Sequence, residues 1–298
     1  MPDAGGSPLV QEFPVADADA GPYGIAAGPD GALWITLAGS GEIARLTVDG
    51  GLTRYPLDSA ECQPTVIAPG PDGTLWFTRT RDHRIGRITV GGEIASFAVP
   101  TPESGPFGIA AGPDGALWFT ELNAGRVGRL TPGGEFTEFP LPVPGAYPSA
   151  ITAGPDGALW CTLNQADALC RVGVDGGTSL HRLPTPGAGP VGIASDGEAL
   201  WCVEIGAGQV ARVRVDGGVE EFPLPDRAAK PHAIVAVSAG ECWFTEWGAN
   251  RVGRVTTAGA VSEYELPASA SEPHGITVGP DGALWVALES GTVARVAP

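Results

Sequence analysis

This chain is nearly without lysine, and it has no spaced cysteine pairs and no long apolar runs. Lys230 is the single lysine among 298 residues, and the formal net charge is −17. Nucleic acids and anionic membrane surfaces are recognised through clustered positive charge, so neither is an expected partner. No apolar run approaches the 18 residues that a membrane-spanning helix needs. The N-terminus shows no basic stretch leading into an apolar one, so no signal peptide is read there. The five cysteines are odd in number and contain no Cys-x-x-Cys spacing. Cys161, Cys202 and Cys242 adjoin a tryptophan in strand-like text, where a thiol serves as a small core residue. The expectation is a reduced, cytoplasmic protein.

Glycine and proline, by contrast, are abundant at 45 and 29 residues. Without a period they would suggest disorder, but here they recur at fixed phases, as turn residues do. Tryptophan sets the period. Trp34, Trp76, Trp118, Trp160, Trp201, Trp243 and Trp285 are separated by 42, 42, 42, 41, 42 and 42 residues. Such regularity marks a repeat architecture and overrides the two-domain expectation from length. One domain is expected over 1–298, with 1–8 as a flexible tail.

In the third unit, four short segments read as strands: Phe107 to Ala111, Leu117 to Thr120, Val127 to Thr131 and Glu135 to Phe139. Gly-Pro-Asp-Gly, Asn-Ala-Gly and Pro-Gly-Gly turns separate them, so the unit is an antiparallel meander. One four-stranded sheet cannot bury both faces, whereas seven packed radially can. The fold class is therefore all-β, a seven-bladed β-propeller. The last unit stops at its third strand, Thr292 to Val296, while Leu9 to Val15 reads as a fourth. Residues 9–15 are expected to pair with 292–296, closing the ring and removing a sheet edge.

A proline opens each innermost strand, and one variable residue follows it: Tyr23, Thr65, Phe107, Ser149, Val191, His232 and His274. Their shared phase places them in a ring at one mouth of the central channel. They could simply plug it, as Phe107 and Val191 would. Two of the chain's four histidines on neighbouring units argue for more. The residue before the proline is Gly21, Gln63, Gly105, Tyr147, Gly189, Lys230 and then Glu272. Strand alternation lets Glu272 and His274 face one side across Pro273.

The second strand often ends in a glutamate three residues after the tryptophan, as at Glu121, Glu204 and Glu246, which read as hydrogen-bonding parts of the scaffold. Unit seven has Leu288 there, and its carboxylate moves one place on, to Glu289, on the opposite face. The first strand leaves this mouth and the second returns to it, so Glu272 and Glu289 are expected at one rim. Two carboxylates so placed suit a hard divalent cation such as Mg²⁺, which keeps several waters. A Lys230–Glu272 ion pair and a solvated Glu289 are the alternatives. His232 lies on the neighbouring unit, and facing sheets sit about 10 Å apart. It is expected to contact substrate rather than metal, with Tyr23 on the other flank. His83, His181 and the third-strand arginines read as scaffold.

The phrases Gly-Pro-Tyr23-Gly-Ile, Lys-Pro-His232-Ala-Ile and Glu272-Pro-His274-Gly-Ile stand among recurrent Leu-Trp-Phe-Thr-Glu and Arg-Val-Gly-Arg strands. Over essentially its whole length the chain resembles the virginiamycin B lyase (streptogramin B lyase) family of seven-bladed propellers. The resemblance implies a lyase that linearises type B streptogramins, small cyclic depsipeptide antibiotics, by elimination without water. It implies Glu272 and Glu289 as Mg²⁺ ligands, His274 as proton acceptor and His232 as a substrate contact. The scaffold departs from the pattern at Leu37, Arg79 and Leu163, which replace the strand-two glutamate, and at cysteines in core phenylalanine positions. Two other classes stay open. One is a metal-dependent lactonase or esterase propeller that hydrolyses its substrate; the other is a non-enzymatic propeller that binds peptides or proteins. A closed ring offers no free edge strand, so a monomer is expected.

Overall fold

The computed structural model describes residues 9–267 and 272–297, which form seven four-stranded antiparallel sheets. The tail expected at 1–8 lies outside the described residues. Blade three comprises Pro106–Ala111, Leu117–Glu121, Arg126–Leu130 and Phe136–Pro140. Each of these lies within one residue of its sequence expectation. The innermost strands of successive blades pack around a common axis. Among the described residues no helix is long and apolar enough to cross a membrane.

Ring closure follows the expected route. Strand Leu9–Pro14 lies outside Thr292–Ala297 in the seventh blade, paired antiparallel from Leu9↔Ala297 to Pro14↔Thr292. The first strand in sequence is thus the outermost strand of the last blade.

Three contacts explain why a tryptophan recurs in every blade. Its indole N–H donates to an acid two to five residues earlier in the chain: Asp30, Asp72, Asp114, Asp156, Asp196, Glu241 or Asp281. In six blades the third-strand arginine ion-pairs the same acid. A fourth-strand ring then packs on the indole: Tyr55, Phe97, Phe139, His181, Phe222, Tyr264 and, from the N-terminal strand, Phe13. Phe13 lies 5.2 Å from Trp285, so the closing strand supplies the aromatic layer as well as the hydrogen bonds. Truncating one such buried indole to alanine costs about 3–5 kcal/mol.

Three of the five cysteines, Cys161, Cys170 and Cys202, fill a second repeated contact. Phe77, Phe119 and Phe244 of the second strands lie opposite Gly86, Gly128 and Gly253 of the third. A Cβ at any of these glycines would fall about 2 Å from the facing ring, well inside contact distance. Where the large partner shrinks, the small one grows: Ile35 faces Ala44, Cys202 faces Ala211, and Cys161 faces Cys170. All five thiols are free and buried, as expected of core residues.

Candidate functional site

Two backbone devices, present in every blade, build the mouth. The first is a left-handed residue before the inner-strand proline. Its φ is +55° at Gly21, +52° at Gln63, +61° at Gly105, +54° at Tyr147, +55° at Gly189, +51° at Lys230 and +44° at Glu272. In six blades its carbonyl accepts the N–H of the residue four after the tryptophan, as in Leu122 to Gly105, Trp247 to Lys230 and Glu289 to Glu272. These positions therefore form side-by-side pairs around the rim. Blade three fills its pair with glycine and leucine, blade six with lysine and tryptophan, and blade seven with two glutamates.

The second device is a β-bulge at the ring residue. In blade seven Pro273 faces Leu288 and Ile276 faces Val286, three residues advanced against two. The same shift occurs in the other six blades. A bulge re-aims the side chain it carries, here toward the axis. Glu272 and His274 do share one rim, but through the left-handed residue and the bulge rather than through plain strand alternation.

The ring residues meet over the axis. The Tyr23 ring lies 4.4 Å from the His274 ring, 5.9 Å from that of His232 and 6.1 Å from that of Phe107. The two imidazoles are 5.0 Å apart. Tyr23 Oη stands 3.5 Å from His232 Nε2, and His274 Nε2 stands 3.3 Å from Glu289 Oε2. Thr245 Oγ1 of blade six donates to the His274 carbonyl at 2.9 Å, fixing its backbone from the neighbouring blade. Thr36, Thr78, Thr120 and Thr162 hold Thr65, Phe107, Ser149 and Val191 in the same way.

Burial pushes the His274 imidazole down to about 4, against the opposing pull of the Glu272 charge. Burial also pushes His232 down to about 3, with His274 adding to the effect. Both rings are therefore neutral at neutral pH. Burial, assisted by the Glu289 charge, raises the Tyr23 phenol, which stays protonated.

Glu272 and Glu289 lie within hydrogen-bond reach of each other, and this contact holds the Glu272 carboxyl above the usual carboxylate range. Neither forms an ion pair with an arginine or lysine among the described residues. Lys230 instead places its ammonium 4.9 Å over the Trp247 ring, so the alternative Lys230–Glu272 bridge does not form. Two adjacent carboxylates without a basic partner fit a hard divalent cation. Among the described residues no third Asp, Glu, His or Cys side chain completes a cluster with them. A cation held there would take its remaining ligands from water or substrate.

A cavity of about 650 Å³ is lined by Glu272, His274 and Glu289 together with Tyr23, Trp247 and Arg81. A second opening of about 490 Å³ runs down the axis past Tyr23, His232 and Phe107, onto isoleucines contributed by the inner strands. Sequence reading passed over Trp247, although an eighth tryptophan outside the seven-fold phase was a visible signal. It also passed over Arg81.

The other two histidines are structural. His83 Nδ1 accepts the Gly105 N–H at 3.2 Å, and His181 packs on Trp160. Glu204 accepts from Gln209 and Glu246 from Arg251, as scaffold residues should. Burial raises all three carboxyls, Glu204 and Glu246 to about 7 and Glu121, with the neighbouring Glu138 charge adding, to about 8.

A profile of the virginiamycin B lyase family matches residues 8–296. The virginiamycin B lyase of Streptomyces coelicolor is 62% identical over 42 residues, a segment spanning 14% of this chain and 14% of that protein. The solved virginiamycin B lyase of Staphylococcus aureus superimposes with a TM-score of 0.93 at 40% identity, covering 98% of this chain and 99% of that one. A catalytically inactive histidine-to-alanine form of the S. aureus enzyme, solved with quinupristin, superimposes equally well at 39% identity, covering 98% and 99%.

Proposed function

The chain belongs to the virginiamycin B lyase family, and from that premise we propose that it linearises type B streptogramins by elimination. The observation that carries this reading is the convergence of Glu272, Glu289 and His274 on one cavity, with Tyr23 in contact with His274. A fold-level likeness alone would not specify chemistry. Support for the substrate class comes from the quinupristin-bound S. aureus relative.

Type B streptogramins are cyclic depsipeptides closed by an ester on a threonine side chain. His274 takes the proton from the threonine Cα. The C–H electrons form a Cα–Cβ double bond, and the Cβ–O bond breaks with its pair leaving on the carboxylate. The product is a linear peptide with a dehydrated threonine and a free C-terminal carboxylate, equal in mass to the substrate. A neutral imidazole is the right form to accept that proton, and positioned base catalysis contributes typically about 10²–10⁴-fold.

An α-proton beside an amide carbonyl is a weak acid, so charge developing on that carbonyl must be stabilised. Glu272 and Glu289 are the residues that would hold Mg²⁺, whose chemistry when bound is Lewis-acid polarisation worth several kcal/mol. Tyr23 packs against the His274 ring and limits its rotation. His232 and Tyr23 border the axial opening, where they can contact a macrocycle lying across the mouth.

One mass spectrum distinguishes the classes. Incubation with a type B streptogramin and Mg²⁺ should give a linear isomer of unchanged mass. A gain of one water would mean hydrolysis, as in a lactonase propeller. Unaltered substrate would indicate a binding module.

A further inference from the structure

Blade two breaks the repeat within reach of the same cavity. Its strand Leu75–Arg79 ends in Arg79 where blades three, five and six end in glutamate. Arg79 is buried and ion-pairs Asp58 at 2.7 Å and also Asp82, a residue of the following turn. Backbone bonds from Thr80 N–H to the Gln63 carbonyl at 3.1 Å, and from Arg81 N–H to the Cys62 carbonyl at 3.3 Å, fix the turn from its other side. A buried cation thus clamps this turn.

The clamped turn carries Arg81, an exposed side chain that lines the same cavity as Glu272, His274 and Glu289. Arg81 is the one lysine or arginine among the described residues lining that cavity. The other charged groups there are Asp19, Glu61, Glu272 and Glu289. Arg81 forms no ion pair with any described residue, although acids surround it.

Elimination makes this arrangement consequential. The leaving group becomes a carboxylate inside a cavity walled by four acids, on a chain of net charge −17. We propose that Arg81 is the carboxylate-binding residue of the site. It stabilises the departing carboxylate and then holds the C-terminal carboxylate of the linear product, an inference that rests on the elimination reading above. A guanidinium presents a planar fork that a carboxylate can meet with two hydrogen bonds, and it stays charged throughout. The carboxylate gains its full charge only as the Cβ–O bond breaks. The contribution of Arg81 should therefore fall on kcat more than on KM.

The test compares wild type, Arg81→Lys and Arg81→Gln in calorimetric binding of the linear product and of its C-terminal carboxamide. Wild type should bind the acid about fivefold more tightly than the amide, the worth of a partly exposed ion pair. Arg81→Gln should lose that preference and lose kcat by a similar factor, with KM nearly unchanged. Arg81→Lys should keep part of both, since it retains charge without the fork. Equal affinity for acid and amide in wild type, or an undiminished preference in Arg81→Gln, would overturn the proposal. Absence of turnover in wild type would sink the elimination reading instead, while the acid-against-amide comparison would still report on Arg81.

Discussion

In blade three the left-handed position is Gly105, its hydrogen-bonded neighbour is Leu122 and the axial residue is Phe107. In blade seven the same places hold Glu272, Glu289 and His274. The φ values differ little, +61° against +44°, and the bulge is the same. The two blades therefore differ in the side chains placed on a frame that every blade already has. The frame also carries a cost in blade seven. A left-handed residue with a Cβ is strained by about 1 kcal/mol, a strain that glycine escapes.

The largest effect is expected at the imidazole. His274→Ala should lower turnover by about 10²–10⁴-fold while the blade stays folded, because the ring lies at the mouth rather than between sheets. Mass-spectrometric rates beside a melting curve would check both halves. The latch comes next. Blades three and six each hold a neighbouring ring residue through a strand-two threonine, whereas blades five and seven have Val203 and Ala287 in that place. Thr245→Val leaves the His274 carbonyl and the Ala233 N–H without their partner, at about 2 kcal/mol. Loosened positioning should also slow turnover about tenfold. Thr120→Val should cost similar stability and leave turnover unchanged.

Blade three carries the most strongly raised of the strand-end carboxyls, Glu121. Its folded-state pKa of about 8 lies above its ordinary value, so the native protein retains a proton that the unfolded chain releases. The stability from this group is complete below about pH 4.5 and drains away as pH rises toward about 8. Glu121→Gln should remove that slope and exceed wild type by about 2 kcal/mol at pH 9, seen in denaturation midpoints across pH. The smallest stability effect is expected from Glu272→Gly, a gain of about 1 kcal/mol from relieved strain. That gain should come with lost turnover, because one of the paired carboxylates is gone.

Much of this could be read in the sequence because repetition makes it periodic. Seven tryptophans gave the blade count, and the phase of Leu9 to Val15 gave the closure. The odd acids and imidazoles of blades six and seven were visible as departures from a repeated text. The frame beneath them was not visible. Glycine occupies the left-handed position in only three of seven blades, so Gln63, Tyr147, Lys230 and Glu272 concealed it. A bulge leaves no mark in residue type, and strand alternation led to the same rim by a different route. Lys230 offered two equally local partners, Glu272 and Trp247. The ammonium lies over Trp247, whose N–H also bonds the Lys230 carbonyl across the strand pair. Arg81 sits in a turn whose distance from blade seven is set by the closed ring, which one blade's text does not reveal.

The most direct measurement rebuilds blade seven in the image of blade three, with Glu272→Gly, Glu289→Leu and His274→Phe in one chain. Its conversion of a type B streptogramin is followed beside its melting temperature. The expected product is a propeller at least as stable as the parent that yields no linear isomer. Conversion at the parental rate by that folded variant would contradict that expectation.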